Sequence, residues 1–280
     1  MSAVLLALGA SLAWGFGDFS GGVQSRKLPV TFVLAVSQGA GLAVVAALTV
    51  AFAGDAPSWR RLCYGACAGV IGVVGLVFFY RGMAVGALGV VTPIAATAVL
   101  VPVSVGLARG ERPSGVQAVG AAVALAGVVA ASLEPERDEL PRRGVAAGAG
   151  FALLAAVCFG GGLVGLKAAA VGGPLWATLS MRTAGAPVVI AAAVLLRARA
   201  RATPPQWLVL GFVGVADMGA NVLFGAATNR GLLSVVAVLG SLYPVIVIAL
   251  ARLVLDERLS PLQLGGAGAA LLGVALISAG

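Results

Sequence analysis

The sequence predicts an all-α, polytopic membrane protein of ten spanning helices, arranged as two inverted five-helix repeats. Three observations predict it. The 280 residues are 60% hydrophobic and only 10% charged, with a mean hydropathy of +1.07, where a soluble domain is about a quarter charged. Lipid rather than water must therefore cover most of the outside, and in lipid only a helix or a closed barrel satisfies its own backbone. Second, the apolar residues fall into ten runs, at about 4–22, 29–53, 62–80, 84–108, 115–133, 145–168, 174–196, 206–228, 231–254 and 262–279. A spanning helix needs roughly 20 such residues. Third, the two halves of the chain resemble each other.

Charge and proline mark the connections. They concentrate between Gln24 and Pro29, Asp55 and Arg61, Arg109 and Pro113, Glu134 and Arg143, Arg197 and Pro205, and Asp256 and Pro261. Trp59 and Trp207 stand where the third and eighth runs begin, the headgroup level that suits an indole. The first run lacks a basic segment before it and is expected to be a retained span rather than a cleaved signal peptide. Glycine recurs at small-xxx-small spacing (Gly17 with Gly21, Gly65 with Gly69, Gly82 with Gly86, Gly161 with Gly165). Helices in lipid associate by close backbone approach, so these glycines read as packing surfaces and not as phosphate loops.

The repeat rests on polar identities. Residues 110–120 read GERPSGVQAVG and residues 256–266 read DERLSPLQLGG. Glu111, Arg112, Ser114, Gln117 and Gly120 thus recur as Glu257, Arg258, Ser260, Gln263 and Gly266, 146 residues on. The same offset carries LAGVV (125–129) onto LLGVA (271–275), and GALGVV (86–91) meets GLLSVV (231–236) at an offset of 145. We divide the chain into a first repeat at 1–133, a polar linker at 134–143 and a second repeat at 144–280. Each repeat holds five spans, an odd number, so the second enters the membrane from the side opposite the first. That is the inverted-repeat design of many secondary transporters.

Ten spans in a five-plus-five repeat, with Gly110-Glu111-Arg112-Pro113-Ser114 and Asp256-Glu257-Arg258-Leu259-Ser260 closing the fourth-to-fifth turns and Tyr243-Pro244 in span nine, resemble the drug/metabolite transporter superfamily, EamA type. The resemblance covers nearly the whole chain. It implies a carrier of the inner cell membrane, often an exporter of amino acids, metabolites or drugs, with both termini cytoplasmic. One departure is that Pro244 lies thirteen residues before Glu257, whereas Pro93 and Pro102 lie eighteen and nine before Glu111. The proline bends of the two halves are out of register. Positive charge also disagrees with the implied orientation: the odd loops carry eleven Lys and Arg and the even loops six, which by the positive-inside bias places the termini outside.

Other function classes fit poorly. A net charge of +8 without a basic stripe and interleaved aromatics points to headgroups and not to nucleic acid. The chain has no His, which removes His-based triads, relays and metal sites. Cys63, Cys67 and Cys158 read as small apolar packing residues. We therefore expect no catalytic residues, no metal and no cofactor; the partners are lipid, a small-molecule substrate and, in a coupled carrier, protons. The alternative is a non-transporting membrane scaffold or a channel-like subunit, which leaves the repeat and the buried polar groups unexplained.

Ionisable and amide groups inside spans supply the candidates for a substrate or ion pathway, because such groups are costly in lipid. Asp217 lies near the middle of span eight, with Asn221 one turn on, and Arg182 well inside span seven is its natural partner. Unpaired, the carboxylate would carry a proton; paired, it would fix helix positions, and the residues alone leave both readings open. Asp18 follows Trp14 in span one, as a second carboxylate or an interfacial one. Gln38 in span two offers an amide to a substrate carboxyl or to a neighbouring helix. Tyr243, with Tyr80, Thr92, Thr97 and Ser241, belongs to the fourth and ninth spans or their entrances, which the resemblance places around a central cavity. Glu111/Arg112 and Glu257/Arg258 are expected to brace the short turns; Arg81, Lys167 and Arg230 end their spans and snorkel to headgroups.

Overall fold

The computed structural model of the chain describes residues 2–25, 27–85, 94–132, 142–197, 200–255 and 260–279. Among these residues the fold is all-helical, with ten spans: α1 (Ala3–Ser25), α2 (Val30–Phe52), α3 (Trp59–Val85), α4 (Ile94–Ala108), α5 (Gly115–Ser132), α6 (Arg142–Ala170), α7 (Pro174–Leu195), α8 (Pro204–Thr228), α9 in two pieces (Leu233–Gly240 and Tyr243–Leu255) and α10 (Pro261–Ala279). Seven of the described helices are each long and apolar enough to cross a membrane, and the apolar stretches of α4, α5 and α10 are shorter. The chain is a multi-pass membrane protein. Its outward residues agree: Val50, Leu195, Leu208 and Leu253 are all more than three-quarters exposed, an arrangement only a hydrocarbon surrounding tolerates. Residues 133–141, which hold most of the polar linker, fall outside the described residues, as do Thr92, Pro93, Glu257 and Arg258.

The spans gather into two compact units, Met1–Val73 with Gly165–Arg230 and Val74–Val164 with Gly231–Gly280. Each unit draws on both repeats, and the boundaries fall inside α3, inside α6 and between α8 and α9.

In the second unit α5 and α10 lie along each other. A Cβ added to Gly120 would stand 2.9 Å from the Gly273 carbonyl oxygen, and one added to Gly266 would stand 2.7 Å from the Gly127 oxygen. Position 120 faces 273 while 127 faces 266, so the helices run antiparallel. The sequence offset of 146 carries Gly120 onto Gly266 and Gly127 onto Gly273, so the two crossings are one contact, made twice with the roles of the repeats exchanged. Two equivalent helices meeting head to tail are the physical signature of inversion.

The first unit obeys the same rule. A Cβ on Gly41 in α2 would come within 2.7 Å of the Gly214 oxygen in α8, and one on Gly185 in α7 within 3.2 Å of the Gly69 oxygen in α3. Gly41 and Gly185 are 144 residues apart, Gly69 and Gly214 are 145 apart. The α2·α8 and α3·α7 crossings are therefore counterparts. Aromatic contacts repeat too, each inside its own unit: Trp14 and Phe224 have ring centroids 5.7 Å apart, and Phe159 and Phe79, 145 residues from each, are 6.1 Å apart.

Both α4 and α9 are broken, and at equivalent places. The α4 break is a 3-10 turn at Thr97–Val99, and α9 breaks at Ser241 and Leu242, about 145 residues on. Each break carries a hydroxyl bonded back three residues, Thr97 Oγ1 to the Ile94 oxygen at 2.6 Å and Ser241 Oγ to the Val238 oxygen at 2.8 Å. Proline explains the rest, since it has no N–H to give the carbonyl four residues before it. Pro102 gives no such bond to Ala98, and Pro244 none to Gly240. The prolines are out of register, as the sequence indicated; the breaks they serve are in register.

Candidate functional site

The first unit holds a polar cluster at mid-helix depth in four spans. Its construction starts with the α2·α8 crossing. Because neither Gly41 nor Gly214 carries a side chain, the two backbones touch, and Gln38, nearly one turn before Gly41, meets Asp217, nearly one turn after Gly214. Gly17 does the same for α1: a Cβ there would already be in contact with Ala216 and with the Asp217 amide at 3.8 Å. Close backbone approach thus brings side chains from α1, α2, α7 and α8 to one point.

Asp217 is the hub. Its Oδ2 accepts from Arg182 Nη2 at 2.6 Å and from Gln38 Nε2 at 3.2 Å. Its Oδ1 accepts from Trp14 Nε1 at 3.2 Å and from Asn221 Nδ2 at 3.3 Å. Arg182 Nη1 also donates to Gln38 Oε1, so the amide joins both members of the ion pair. The Arg182 side chain is 8% exposed and that of Asp217 29%. A lone ion at this depth would cost several kcal/mol, and a pair with hydrogen bonds on most sides offsets that cost. The satisfaction is incomplete: Arg182 Nε, Thr178 Oγ1 one turn before it, and Ser11 Oγ one turn before Trp14 are buried without a partner.

The structure therefore brings Gln38, Arg182, Asp217 and Asn221 together, and of the two readings the residues left open for Asp217 it realises the paired one. Asp18 stays exposed and makes none of these bonds, but it lies close enough to feel the charge of Asp217. Tyr243 is elsewhere, at the start of the second piece of α9 in the second unit. The side chain of Tyr80 is outside what the structure describes. Sequence reasoning missed Trp14, noting it only as a neighbour of Asp18. The usable signal was its spacing, since positions 14 and 18 share a helix face and an indole N–H buried in a span needs an acceptor.

Glu111 was expected to brace its own turn, and the structure shows it bonding to another helix as well. The turn after α4 is closed by a Schellman motif, in which Gly110 at φ +89° donates to the Leu107 oxygen and Glu111 N–H to the Gly106 oxygen. The start of α5 is closed by a capping box: Gln117 N–H donates to Ser114 Oγ, and Ser114 N–H to Gln117 Oε1, both at 3.1 Å. Ser260 and Gln263 repeat the box on α10, which is why Ser and Gln recur three apart in both repeats. The Glu111 carboxylate accepts from Leu233 N–H at 2.7 Å, Ser234 N–H at 2.9 Å and Ser234 Oγ at 2.8 Å. It caps α9, an α-helix of the other repeat. Replacing Glu111 with Gln should cost about 1 kcal/mol through loss of charge at the helix N-terminus, and Glu111→Ala about 2 kcal/mol. Thermal unfolding of the purified variants measures both, and equal melting temperatures for all three chains would refute the cap.

Comparison with known proteins adds the following. The model of the EamA-like transporter family matches residues 1–133 and again residues 146–279. No curated protein matches the sequence. A solved crystal structure superposes with a TM-score of 0.79, covering 99% of this chain and 98% of its own, at 20% identity; at that identity the likeness shows the fold.

Proposed function

From the premise that the chain belongs to the EamA-like transporter family, we propose that it is a secondary carrier that exports a small metabolite, amino acid or drug across the inner cell membrane by alternating access. The observation that carries this reading is the exchange of roles between equivalent helices. An inverted pair of repeats, with α5 against α10 twice over, gives one sequence two near-equivalent arrangements open to opposite sides. The other features fit. The breaks in α4 and α9 interrupt the helical hydrogen-bond ladder in apolar surroundings, which is tolerated where backbone meets protein or a cavity. The Arg182–Asp217–Gln38 cluster is a fixed polar point in spans that are largely apolar. The reading takes an ion or substrate gradient as the driving force. A scaffold would need neither the breaks nor the exchange.

In the proton-coupled form of this reading the coupling carboxylate is Asp18. Asp217 is already held by four donors, whereas Asp18 is exposed and makes none of these bonds, with Asp217 as its charged neighbour. The substrate is to be found by comparing the metabolites exported by cells with and without the gene. Flux of that solute is then followed in proteoliposomes with and without an imposed pH gradient. We expect the gradient to accelerate flux through the native chain and to have no effect on Asp18→Asn. Flux indifferent to the gradient in the native chain would remove proton coupling, and absence of any saturable flux would remove the carrier itself.

A further inference from the structure

The pseudo-symmetry of the first unit singles out a residue with no polar atom in its side chain. Gln38 and Arg182 are 144 residues apart, the same offset as Gly41 and Gly185. They occupy equivalent places on α2 and α7, and they bond to each other, so the local two-fold passes between them. Asp217 touches both. Its own counterpart, 145 residues back and three after Gly69 just as Asp217 is three after Gly214, is Gly72.

Gly72 differs from the glycines beside it. On the same stripe of α3, a Cβ on Gly65 would stand 3.1 Å from Ser180 Cβ, and one on Gly69 would stand 2.9 Å from the Met181 carbonyl carbon, both on α7. At Gly72 an added Cβ meets nothing within 4 Å, although the residue is half-buried. Packing therefore does not explain this glycine. Directly after Met181 on α7, Arg182 is more than nine-tenths buried and its Nε has no acceptor. A guanidinium has five donors in a fixed fork, and Asp217 takes one of them.

We infer that Gly72 marks a vacant seat for one carboxylate, the counterpart of the position Asp217 fills, facing Arg182 and Gln38 from α3. The repeats are asymmetric here by sequence: Gly72 stands where the second repeat has Asp217, and Leu76 where it has Asn221. Asp217 therefore ties α8 to α2 through Gln38 and to α7 through Arg182, whereas Gly72 has no side chain with which to tie α3 to either. In the native chain the group that fits is a singly charged carboxylate on a solute. One guanidinium already balanced by Asp217, with Asp18 close by, disfavours a doubly charged phosphate. This use of the seat rests on the carrier reading; the seat itself does not.

The test moves the carboxylate from one repeat to the other. Melting temperatures are compared for the full chain in detergent as native, D217G, G72D/D217G and G72A/D217G, with the first three repeated in an R182Q background. D217G should lower the melting temperature, and G72D/D217G should regain at least half of the loss. G72A/D217G, which adds only a methyl group, should regain none, and the gain should vanish without Arg182. If D217G does not survive extraction, extraction of G72D/D217G at the native level counts as the recovery. No recovery, or recovery equally by G72A or in the R182Q chain, overturns the seat. A second arm titrates sodium propionate, with propionamide and matched sodium chloride as controls. Propionate should raise the melting temperature of the native chain and not that of G72D. Equal shifts in both chains, or none in either, overturn the carboxylate assignment, and saturable flux with a failed seat would leave the carrier reading standing.

Discussion

Replacement of Arg182 with Gln is expected to destabilise the chain by about 3 kcal/mol, the lower end of what removal of one member of a buried ion pair costs. The lower end applies because Asp217 keeps 29% of its surface exposed and retains donors from Trp14, Gln38 and Asn221. The cost arises because Asp217 keeps its charge and loses the partner that offset it. R182Q/D217N should therefore recover most of the loss, since an amide pair carries no uncompensated charge. Asp217→Asn alone should resemble R182Q, leaving the guanidinium as the orphan. Thermal or denaturant unfolding in detergent measures all four chains. If the double variant is as unstable as the sum of the singles, the residues do not form the coupled pair seen here.

Substitution of Gly266 with Val is expected to be comparably severe, for a reason of space and not of charge. The added Cβ would stand 2.7 Å from the Gly127 oxygen and 2.8 Å from the Ala130 carbonyl carbon, which are main-chain atoms and cannot rotate away. The α5·α10 contact must open, at a cost of about 1–3 kcal/mol for overpacking. Gly268 on the same helix supplies the control, since a Cβ there meets nothing within 4 Å. Gly268→Ala should be neutral or should stabilise by up to about 1 kcal/mol through helix propensity. Gly266→Val should thus lower the unfolding midpoint, and Gly268→Ala should leave it unchanged or raise it. A midpoint unchanged by Gly266→Val would show that the crossing carries no packing load.

Much of the fold was legible because lipid simplifies the code. Ten apolar runs gave ten spans, since a helix is the structure that satisfies its own backbone locally; the start of the fourth run, at 84, overlaps the end of α3 and otherwise lies outside the described residues. The turn chemistry was half legible. Ser114 and Gln117 could be seen to recur as Ser260 and Gln263, and a helix start with Ser and Gln three apart closes on itself through neighbours in sequence. Glu111 recurs just as plainly, yet its partner lies more than a hundred residues away on α9. No local pattern announces a bond of that kind.

The site divides the same way. That Asp217, Arg182 and Gln38 had to be accommodated somewhere followed from cost alone, and the choice of Arg182 as partner followed from charge. Trp14 did not follow, because an indole in a span has several ordinary uses. Nor did the role of Gly72, which has no side chain to notice.

By itself, then, the sequence determined the medium, the number of crossings, the repeat and its inversion, for these depend on composition, length and parity along one chain. Tertiary structure decided which glycines carry crossings, how four spans converge on Asp217, and which helix Glu111 caps. Those outcomes depend on distances between residues far apart in the chain, and such distances are fixed by packing.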